Sequence, residues 1–174
     1  MAANSNRLSN IPVWIENGVD DFNVATLPYP GALGAVWTKN GKTYQIVQNG
    51  TTSATLAVDD AVSWLDMDDF TITKDVSDAG RNRPAGVALD VNEVDKYCVI
   101  QVAGPGTVNF SQGTTVGGTD AANDETAILS ATDGGVDRVA VGTASTYVPF
   151  GIFTAADTGG TGAVVYITCP HNGW

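Results

Sequence analysis

Two runs of residues, Leu33-Gly-Ala-Val-Trp-Thr-Lys39 and Lys42-Thr-Tyr-Gln-Ile-Val-Gln48, flank the pair Asn40-Gly41. Both runs are rich in β-branched and aromatic residues, which favour strands. An Asn-Gly pair between such runs is the strongest short-range signal of a β-hairpin, because a type I′ turn needs positive φ at both central positions. The stretch therefore predicts a β-hairpin and a β-rich fold around it.

The rest of the chain continues the pattern of short apolar runs separated by turn residues. The further predicted strands are Ala54 to Val58, Ala61 to Leu65, Ala85 to Leu89, Tyr97 to Val102, Ala127 to Ala131, Val136 to Val141, Thr146 to Phe153 and Ala163 to Thr168. Residues 55–66 are the one modest helix candidate, and Gly104-Pro-Gly106 is interpreted as a turn. Short strands at this spacing predict an all-β fold, a compact β-barrel or sandwich.

Composition narrows the range of partners. The chain of 174 residues carries a formal net charge of −11, and 16% of its residues are charged. An acidic surface repels phosphate backbones and anionic lipids, so neither nucleic acid nor membrane is an expected partner. No apolar run approaches the ~20 residues that span a bilayer. The first residues lack the apolar core of a signal peptide, which favours a protein made in a cytoplasm.

A weak internal repeat divides the predicted strands into two sets. The segment from Gly86 to Val102 aligns without gaps on the segment from Gly151 to Ile167. In an alignment shifted by one position, Asp60 and Leu65 match Asp124 and Leu129. We expect two similar β-units, about 33–103 and 104–170, within one β-domain at 31–174.

Residues 1–30 differ from the rest, because Asn, Ser and three prolines interrupt short apolar pieces. They predict an extended N-terminal arm. Trp14, Ile15 and Phe22 on such an arm would contact a partner surface or fold back onto the same domain, and both interpretations stay open. The sparse positive charges add Arg7, Arg81 and Arg83, which would pair with carboxylates of a partner or of the chain itself.

The residue types that carry catalysis are few. His171 is the only histidine and lies near the end of the sequence, where nothing would orient it as a general base. Cys98 and Cys169 are the only cysteines, and both lie in apolar runs, so two buried free thiols are expected, with a disulfide between them as the alternative. The five aspartates between Asp59 and Asp69 lack calcium-loop spacing, which favours a solvated acidic loop. We expect no enzyme activity, no metal and no cofactor.

The order of several strand-and-turn segments resembles a family of viral proteins. The segments are Lys42-Thr-Tyr-Gln-Ile-Val-Gln-Asn-Gly50, Asp59-Asp-Ala-Val62, Pro84-Ala-Gly-Val-Ala-Leu89, Asp95-Lys-Tyr-Cys-Val-Ile-Gln-Val-Ala-Gly104, Asp124-Glu-Thr-Ala-Ile-Leu-Ser-Ala-Thr-Asp-Gly-Gly-Val136 and Phe150-Gly-Ile-Phe-Thr-Ala-Ala156. Across residues 33–168 the chain is similar to the capsid decoration, or cement, proteins encoded beside the major capsid protein in tailed bacteriophages. These patterns include no catalytic motif, so no functional residue carries over from the family.

The resemblance implies a structural protein of the virion that lies on the outer capsid surface and locks neighbouring capsid subunits together. It further implies that the partners are the major capsid protein and other copies of the chain, usually as a homotrimer. The capsid or subunit contacts would then include Arg7, Trp14, Ile15, Phe22, Arg81 and Arg83. Two alternatives stay open: another virion component, of the tail or of head completion, and a carbohydrate-binding β-module.

Overall fold

The structure is a computed structural model that describes residues 33–51, 54–80, 82–111, 121–140, 142, 144–156 and 162–169. The predicted arm at 1–30 lies outside these ranges, and so do Arg7, Trp14, Ile15, Phe22 and Arg81. The elements are β1 (Val36–Lys39), β2 (Lys42–Asn49), β3 (Ala61–Asp66), β4 (Thr71–Thr73), α1 (Val76–Ala79), β5 (Pro84–Ala88), β6 (Tyr97–Val108), β7 (Thr126–Leu129), β8 (Val136–Val139), β9 (Pro149–Phe153) and β10 (Ala163–Thr168).

The predicted hairpin is confirmed. Strands β1 and β2 pair in antiparallel register from Val36 opposite Gln45 to Lys39 opposite Lys42. Asn40 and Gly41 have φ of 52° and 75°, the two positive values that a type I′ turn requires. The paired side chains of Trp37 and Tyr44 stack with ring centroids 5.6 Å apart, which holds β1 against β2.

The first unit is a closed five-stranded barrel. Its strands pair in the order β2-β4-β3-β5-β6, and β6 pairs with β2 to close the ring. The β2–β4 pairing is parallel and the other four are antiparallel. Trp64, Ile72 and Ile100 are almost fully buried inside it. Burial of each such side chain contributes about 1.5–3 kcal/mol.

The second unit repeats this connectivity. Its strands pair in the order β6-β10-β9-β7-β8, and an isolated parallel bridge between Phe110, just after β6, and Val136, in β8, links the two ends of the set. A separate apolar cluster fills it, with Phe110 against Phe153 at a centroid distance of 5.4 Å. The single parallel closure therefore occurs at the equivalent place in both units.

The two units also share an irregularity of register. In the first unit Val62 lies opposite Gly86, and a bulge then places Ser63 opposite Pro84. In the second unit Ala127 lies opposite Gly151, and a bulge then places Ile128 opposite Pro149. Because bulges bend and twist a strand, their recurrence at equivalent positions gives both units the same curvature.

Strand β6 belongs to both units. Its residues Tyr97–Ala103 pair with β2, and Ala103–Val108 pair with β10. The interpretation of Gly104-Pro-Gly106 as a turn is therefore wrong. Pro105 has no N–H to donate, and it is tolerated because the described pairing with β2 ends at Ala103, which leaves this edge of β6 unpaired.

Other predictions at the level of single elements are also corrected. Residues 55–66 form no helix; the only described helix is the short α1, Val76–Ala79. Residues 54–58 form no strand, and only Leu56 makes a single bridge, to Asn92. The all-β class is confirmed, with about half of the described residues in strands. No helix in the described ranges combines the length and apolarity that crossing a bilayer requires.

Candidate functional site

Asp60 lies where the two units meet, and it is not part of a solvated loop. It is 5% exposed. Its Oδ2 accepts hydrogen bonds from Lys74 Nζ at 3.0 Å and from the backbone N–H of Ala57 at 2.8 Å. Its Oδ1 accepts one from Asn109 Nδ2 at 2.9 Å. The expectation of a solvated acidic loop is therefore wrong for this residue, because the chain brings Lys74 and Asn109 onto its carboxylate.

The second unit contains the same arrangement. Glu125 is 5% exposed, and its carboxylate accepts from Arg138 Nη1 at 2.8 and 3.0 Å. Its Oε2 also accepts from the backbone N–H of Ala122 at 2.7 Å, as Asp60 accepts from Ala57. Each unit thus contains a buried carboxylate paired with a cation, a charge-assisted arrangement that stabilises the structure.

Three of the remaining aspartates of the cluster, Asp66, Asp68 and Asp69, form a turn. Asp66 Oδ1 accepts from the backbone N–H groups of Asp68 and Asp69, at 2.9 and 3.3 Å, which closes an Asx turn between β3 and β4. Asp59 lies next to Asp60; partial burial, and secondarily the Asp60 charge, raise the pKa of its carboxyl. Within the described ranges, no group of three or more His, Cys, Asp or Glu residues is placed to hold a metal ion.

Both cysteines are buried free thiols, as the sequence predicts. Burial raises the pKa of Cys98 to about 12 and raises that of Cys169 as well. The Cys169 thiol donates to the Phe150 carbonyl at 3.6 Å. Because the thiolate is the nucleophilic form, neither cysteine is suited to covalent catalysis at neutral pH.

Arg83 is the one predicted contact residue that the structure describes. It is exposed, and it lines an open cleft of about 270 Å³ together with Leu65, Asp66, Met67 and Asp68. Its backbone carbonyl accepts a hydrogen bond from the Trp64 N–H at 2.8 Å, which positions the start of β5 beside the β3–β4 turn. No ion pair joins its guanidinium to a carboxylate among the described residues. The cleft thus presents an arginine, two carboxylates and two apolar side chains to solvent.

A second exposed surface lies on the outer face of the second unit and was not predicted. Ile152 on β9, with Val164 and Tyr166 on β10, are 45%, 44% and 48% exposed. Ile152 pairs directly with Tyr166, and Tyr166 pairs on its other side with Pro105 of β6, so Ile152, Tyr166 and Pro105 form a row across the sheet. Val164 lies two residues before Tyr166, on the same face of β10. We call Ile152, Val164 and Tyr166 the apolar face. Residues Ala163–Thr168 alternate between buried and exposed in the structure, but five of the six are hydrophobic, so the sequence has no polar–apolar alternation that could have located this surface.

The equivalent positions of the first unit are buried. Val87 and Gln101 occupy the places of Ile152 and Tyr166, and they are 1% and 2% exposed. Val87 packs within the apolar cluster of the second unit. Gln101 Nε2 donates to the carbonyls of Gly104 and Pro105 at 3.1 and 3.0 Å. One face of the repeat is therefore covered in the first unit and open to solvent in the second.

Comparison with known proteins adds no relative: no protein-family model matches the sequence, and no curated protein is significantly similar to it.

Proposed function

We propose that the chain is a structural, non-enzymatic protein that binds the outer surface of a phage capsid and stabilises it. The observation that carries the proposal is the pair of fused β-units that present two different exposed surfaces, the Arg83 cleft and the apolar face. A scaffold of this kind suits a protein whose task is to hold neighbouring subunits together. The resemblance across residues 33–168 supplies the class of partner, the major capsid protein.

The chemistry of the described residues favours binding over turnover. The buried carboxylates of Asp60 and Glu125 are each neutralised by a cation within the fold. Catalytic acids and bases need pKa values poised near the working pH, which burial together with an uncompensated charge would provide. In this protein the two buried ion pairs stabilise the fold, and a structural role requires only a stable fold.

The net charge of −11 fits a partner surface with basic patches. Complementary charges speed the encounter and set orientation, while buried contacts supply the affinity. A stable interface of this kind typically buries more than ~1,000 Å² in total. We therefore propose a location on the virion, after assembly in the host cytoplasm, with association slowed by added salt.

The direct test is to mix the purified protein with expanded capsids that lack it, then sediment the shells and count bound copies. The proposal expects saturable binding at a copy number that fits icosahedral symmetry. The control is protein that has been unfolded in acid and then neutralised. Any of this protein that sediments with the shells is trapped in the pellet without specific binding. Absence of saturable binding across a range of salt concentrations would refute the proposal.

Residues 1–25 allow a second test of the same proposal. Deleting them is expected to leave the far-ultraviolet circular dichroism spectrum and the unfolding midpoint unchanged, because the sequence predicts an arm that precedes the β-domain. Binding to shells is expected to weaken, since an extended segment adds interface area at a partner's sheet edge. Equal binding by the shortened and the full chain would remove the arm from the interface.

A further inference from the structure

The first unit packs on the second through one pair of surfaces. On the first unit, Ala61 and Val87 point outward into the apolar cluster of the second unit. Backbone hydrogen bonds flank this contact: the Ala61 N–H donates to the Gly134 carbonyl at 2.8 Å, and the Gly134 N–H donates to the Lys74 carbonyl at 3.3 Å. The outer face of one unit therefore rests against the β7–β8 turn of the other.

Two side chains extend the same contact. Asp133 Oδ1, in the β7–β8 turn, accepts from the Val76 N–H at 3.1 Å. Asn82 Oδ1 accepts from the N–H of Val148, the residue just before β9, at 3.3 Å. The receiving surface of the second unit thus consists of the β7–β8 turn and the residue that precedes β9.

The repeat locates the corresponding receiving surface in the first unit. The β7–β8 turn corresponds to the β3–β4 turn, and Val148, just before β9, corresponds to Arg83, just before β5. These are the elements that line the open cleft of Leu65, Asp66, Met67, Asp68 and Arg83. The outward-facing counterpart of Val87 is Ile152, on the apolar face. Among the described residues, one surface of each kind is therefore left without the contact that joins the two units, and the two surfaces lie on different units.

We infer that copies of this chain associate head to tail, with the apolar face of one copy seated on the Arg83 cleft of the next. The contact repeats between molecules the pairing of surfaces that already joins the two units within the molecule. The chemistry of the two surfaces is compatible: Leu65 and the adaptable thioether of Met67 offer apolar contact to Ile152 and Val164. The Tyr166 hydroxyl can donate to a cleft carboxylate, as tyrosines at interfaces commonly do.

A contact between two different surfaces is heterologous, so it generates a closed ring or an open filament and not a two-fold dimer. The apolar face is small compared with the roughly 800 Å² that each partner contributes to a standard interface, so the surrounding loops must supply the rim. Association of this kind does not depend on the capsid: it concerns purified protein, and it would survive if no shell were bound.

The test uses the full chain and two complementary variants, with molar mass measured by light scattering after gel filtration. The face variant carries Ile152→Glu and Tyr166→Glu, and the cleft variant carries Asp68→Trp, which fills the cleft from an exposed position. Wild type is expected to form a multimer and each variant alone a monomer. A mixture of the two variants is expected to stop at a species of two chains, because only one intact contact remains between them.

A matched control is Val91→Glu, which alters a valine that is 49% exposed and follows the end of β5, whereas Arg83 precedes its start; it should assemble as wild type does. Circular dichroism verifies that every variant is folded. A second measurement does not rely on loss of assembly: Tyr166→Cys and Asp68→Cys chains, mixed under mild oxidation, should form a disulfide between different chains far faster than either does alone. The native thiols are buried and do not compete.

Three outcomes would overturn the inference. Wild type could stay monomeric at the highest soluble concentration, which would mean that the apolar face is covered within its own chain or not at all. The cleft variant could assemble as wild type does while the face variant does not, which would indicate face-to-face pairing. Disulfides could form equally fast within one cysteine variant alone, which would point to the same symmetric contact.

Discussion

Asp60 shows how a single side chain connects the two units. Its carboxylate receives hydrogen bonds from Lys74 in the first unit and from Asn109 at the end of the shared strand. Gly134, in the second unit, approaches so closely that an added Cβ would lie 2.6 Å from Asp60 Oδ1. The residue therefore requires both a cation and a glycine to be present at the junction.

Asp60→Asn is expected to lower the free energy of unfolding, as measured by urea denaturation. The amide keeps the size of the side chain but loses the charge opposite Lys74, and its N–H₂ group faces groups that themselves donate. Removing one partner of a buried ion pair typically costs about 3–5 kcal/mol, and we expect a loss at the lower end of that range. The matched control is Glu125→Gln, which makes the same change within the second unit. An unchanged unfolding free energy would show that the pair contributes nothing net.

Asp59 is expected to make the stability of the protein depend on pH. Partial burial and the Asp60 charge raise its pKa in the folded protein above the unfolded value of about 3.9. Ionised Asp59 therefore destabilises the fold at neutral pH, and the penalty disappears as pH falls through the raised folded pKa. Asp59→Asn should raise the melting temperature at pH 7, and the gain should shrink to nothing in acid.

The backbone at residue 59 permits this substitution. Asp59 has φ of 67°, a left-handed conformation that asparagine tolerates well. Asp124 has the same φ at the equivalent place, so Asp124→Asn reports the effect of the exchange at that backbone geometry. A gain for Asp59→Asn that is constant from acid to neutral pH would exclude the electrostatic explanation.

At the scale of elements, the paired bulges depend on two glycines. A Cβ added to Gly86 would lie 2.5 Å from the carbonyl oxygen of Gln101, and one added to Gly151 would meet the carbonyl oxygen of Tyr166 in the same way. Both obstacles are backbone atoms of the neighbouring strand, which cannot rotate aside. The bulged strands can approach their neighbours only without a side chain at these positions.

Gly86→Ala and Gly151→Ala are each expected to cost about 3 kcal/mol of unfolding free energy, because neighbouring strands must move apart. Gly41→Ala is the control, since nothing lies within 4 Å of its added Cβ and only the strain of φ 75° remains. That strain alone costs about 1–2 kcal/mol. Chemical denaturation of the three variants gives the comparison, and an equal loss at all three positions would contradict the steric explanation.

The sequence predicts the elements where a local pattern is strong. The Asn40-Gly41 turn fixes the first hairpin, and the last strand is found with both of its ends, because turn residues bound each. Strand β4 is missed because three residues are too few to show a period. The middle of β6 is misjudged because Gly and Pro normally end strands, and only the long-range pairing with β10 shows that they do not end this one.

The candidate surfaces were harder to predict than the strands. Arg83 is identified from its charge alone, but its cleft is completed by the β3–β4 turn, which the fold and not the sequence brings beside it. The apolar face is exposed, whereas its counterpart in the first unit is covered. That difference depends on how the two units pack, which no local pattern encodes. The predicted contacts at Arg7, Trp14, Ile15, Phe22 and Arg81 remain predictions.

At the scale of the whole molecule, the register of the repeat is better defined by pairing than by identity. The pair of Tyr44 and Gln101 in the first unit corresponds to the pair of Pro105 and Tyr166 in the second. Tyr44 and Pro105, in the first strands of the two units, are therefore closer together in the sequence than Gln101 and Tyr166, in the last strands. The identities in the shifted alignment are misleading: the buried carboxylate of Asp60 corresponds to Glu125 and not to Asp124. The role persists while the residue type changes.

The units are expected to unfold together. They share β6, the Asp60 junction and the cluster that contains Ala61 and Val87. Hydrogen exchange of core amides in β3 and β9 should therefore give the same opening free energy, equal to the global value. Asn109→Ala, which removes a hydrogen bond to Asp60, should begin to separate the two values. Clearly different values in the wild-type protein would show two independent folding units.

The shared strand also sets the order in which the molecule can be completed during synthesis. The first barrel needs nothing beyond Ala103 for its ring of pairings, so it can close while the rest of the chain is still on the ribosome. Until residues 104–169 follow, Ala61 and Val87 remain in water on the finished barrel. We therefore expect the nascent chain to pass through a stage at which the finished barrel exposes this apolar surface and is prone to non-specific association. The speed of translation through the second half limits how long that stage lasts.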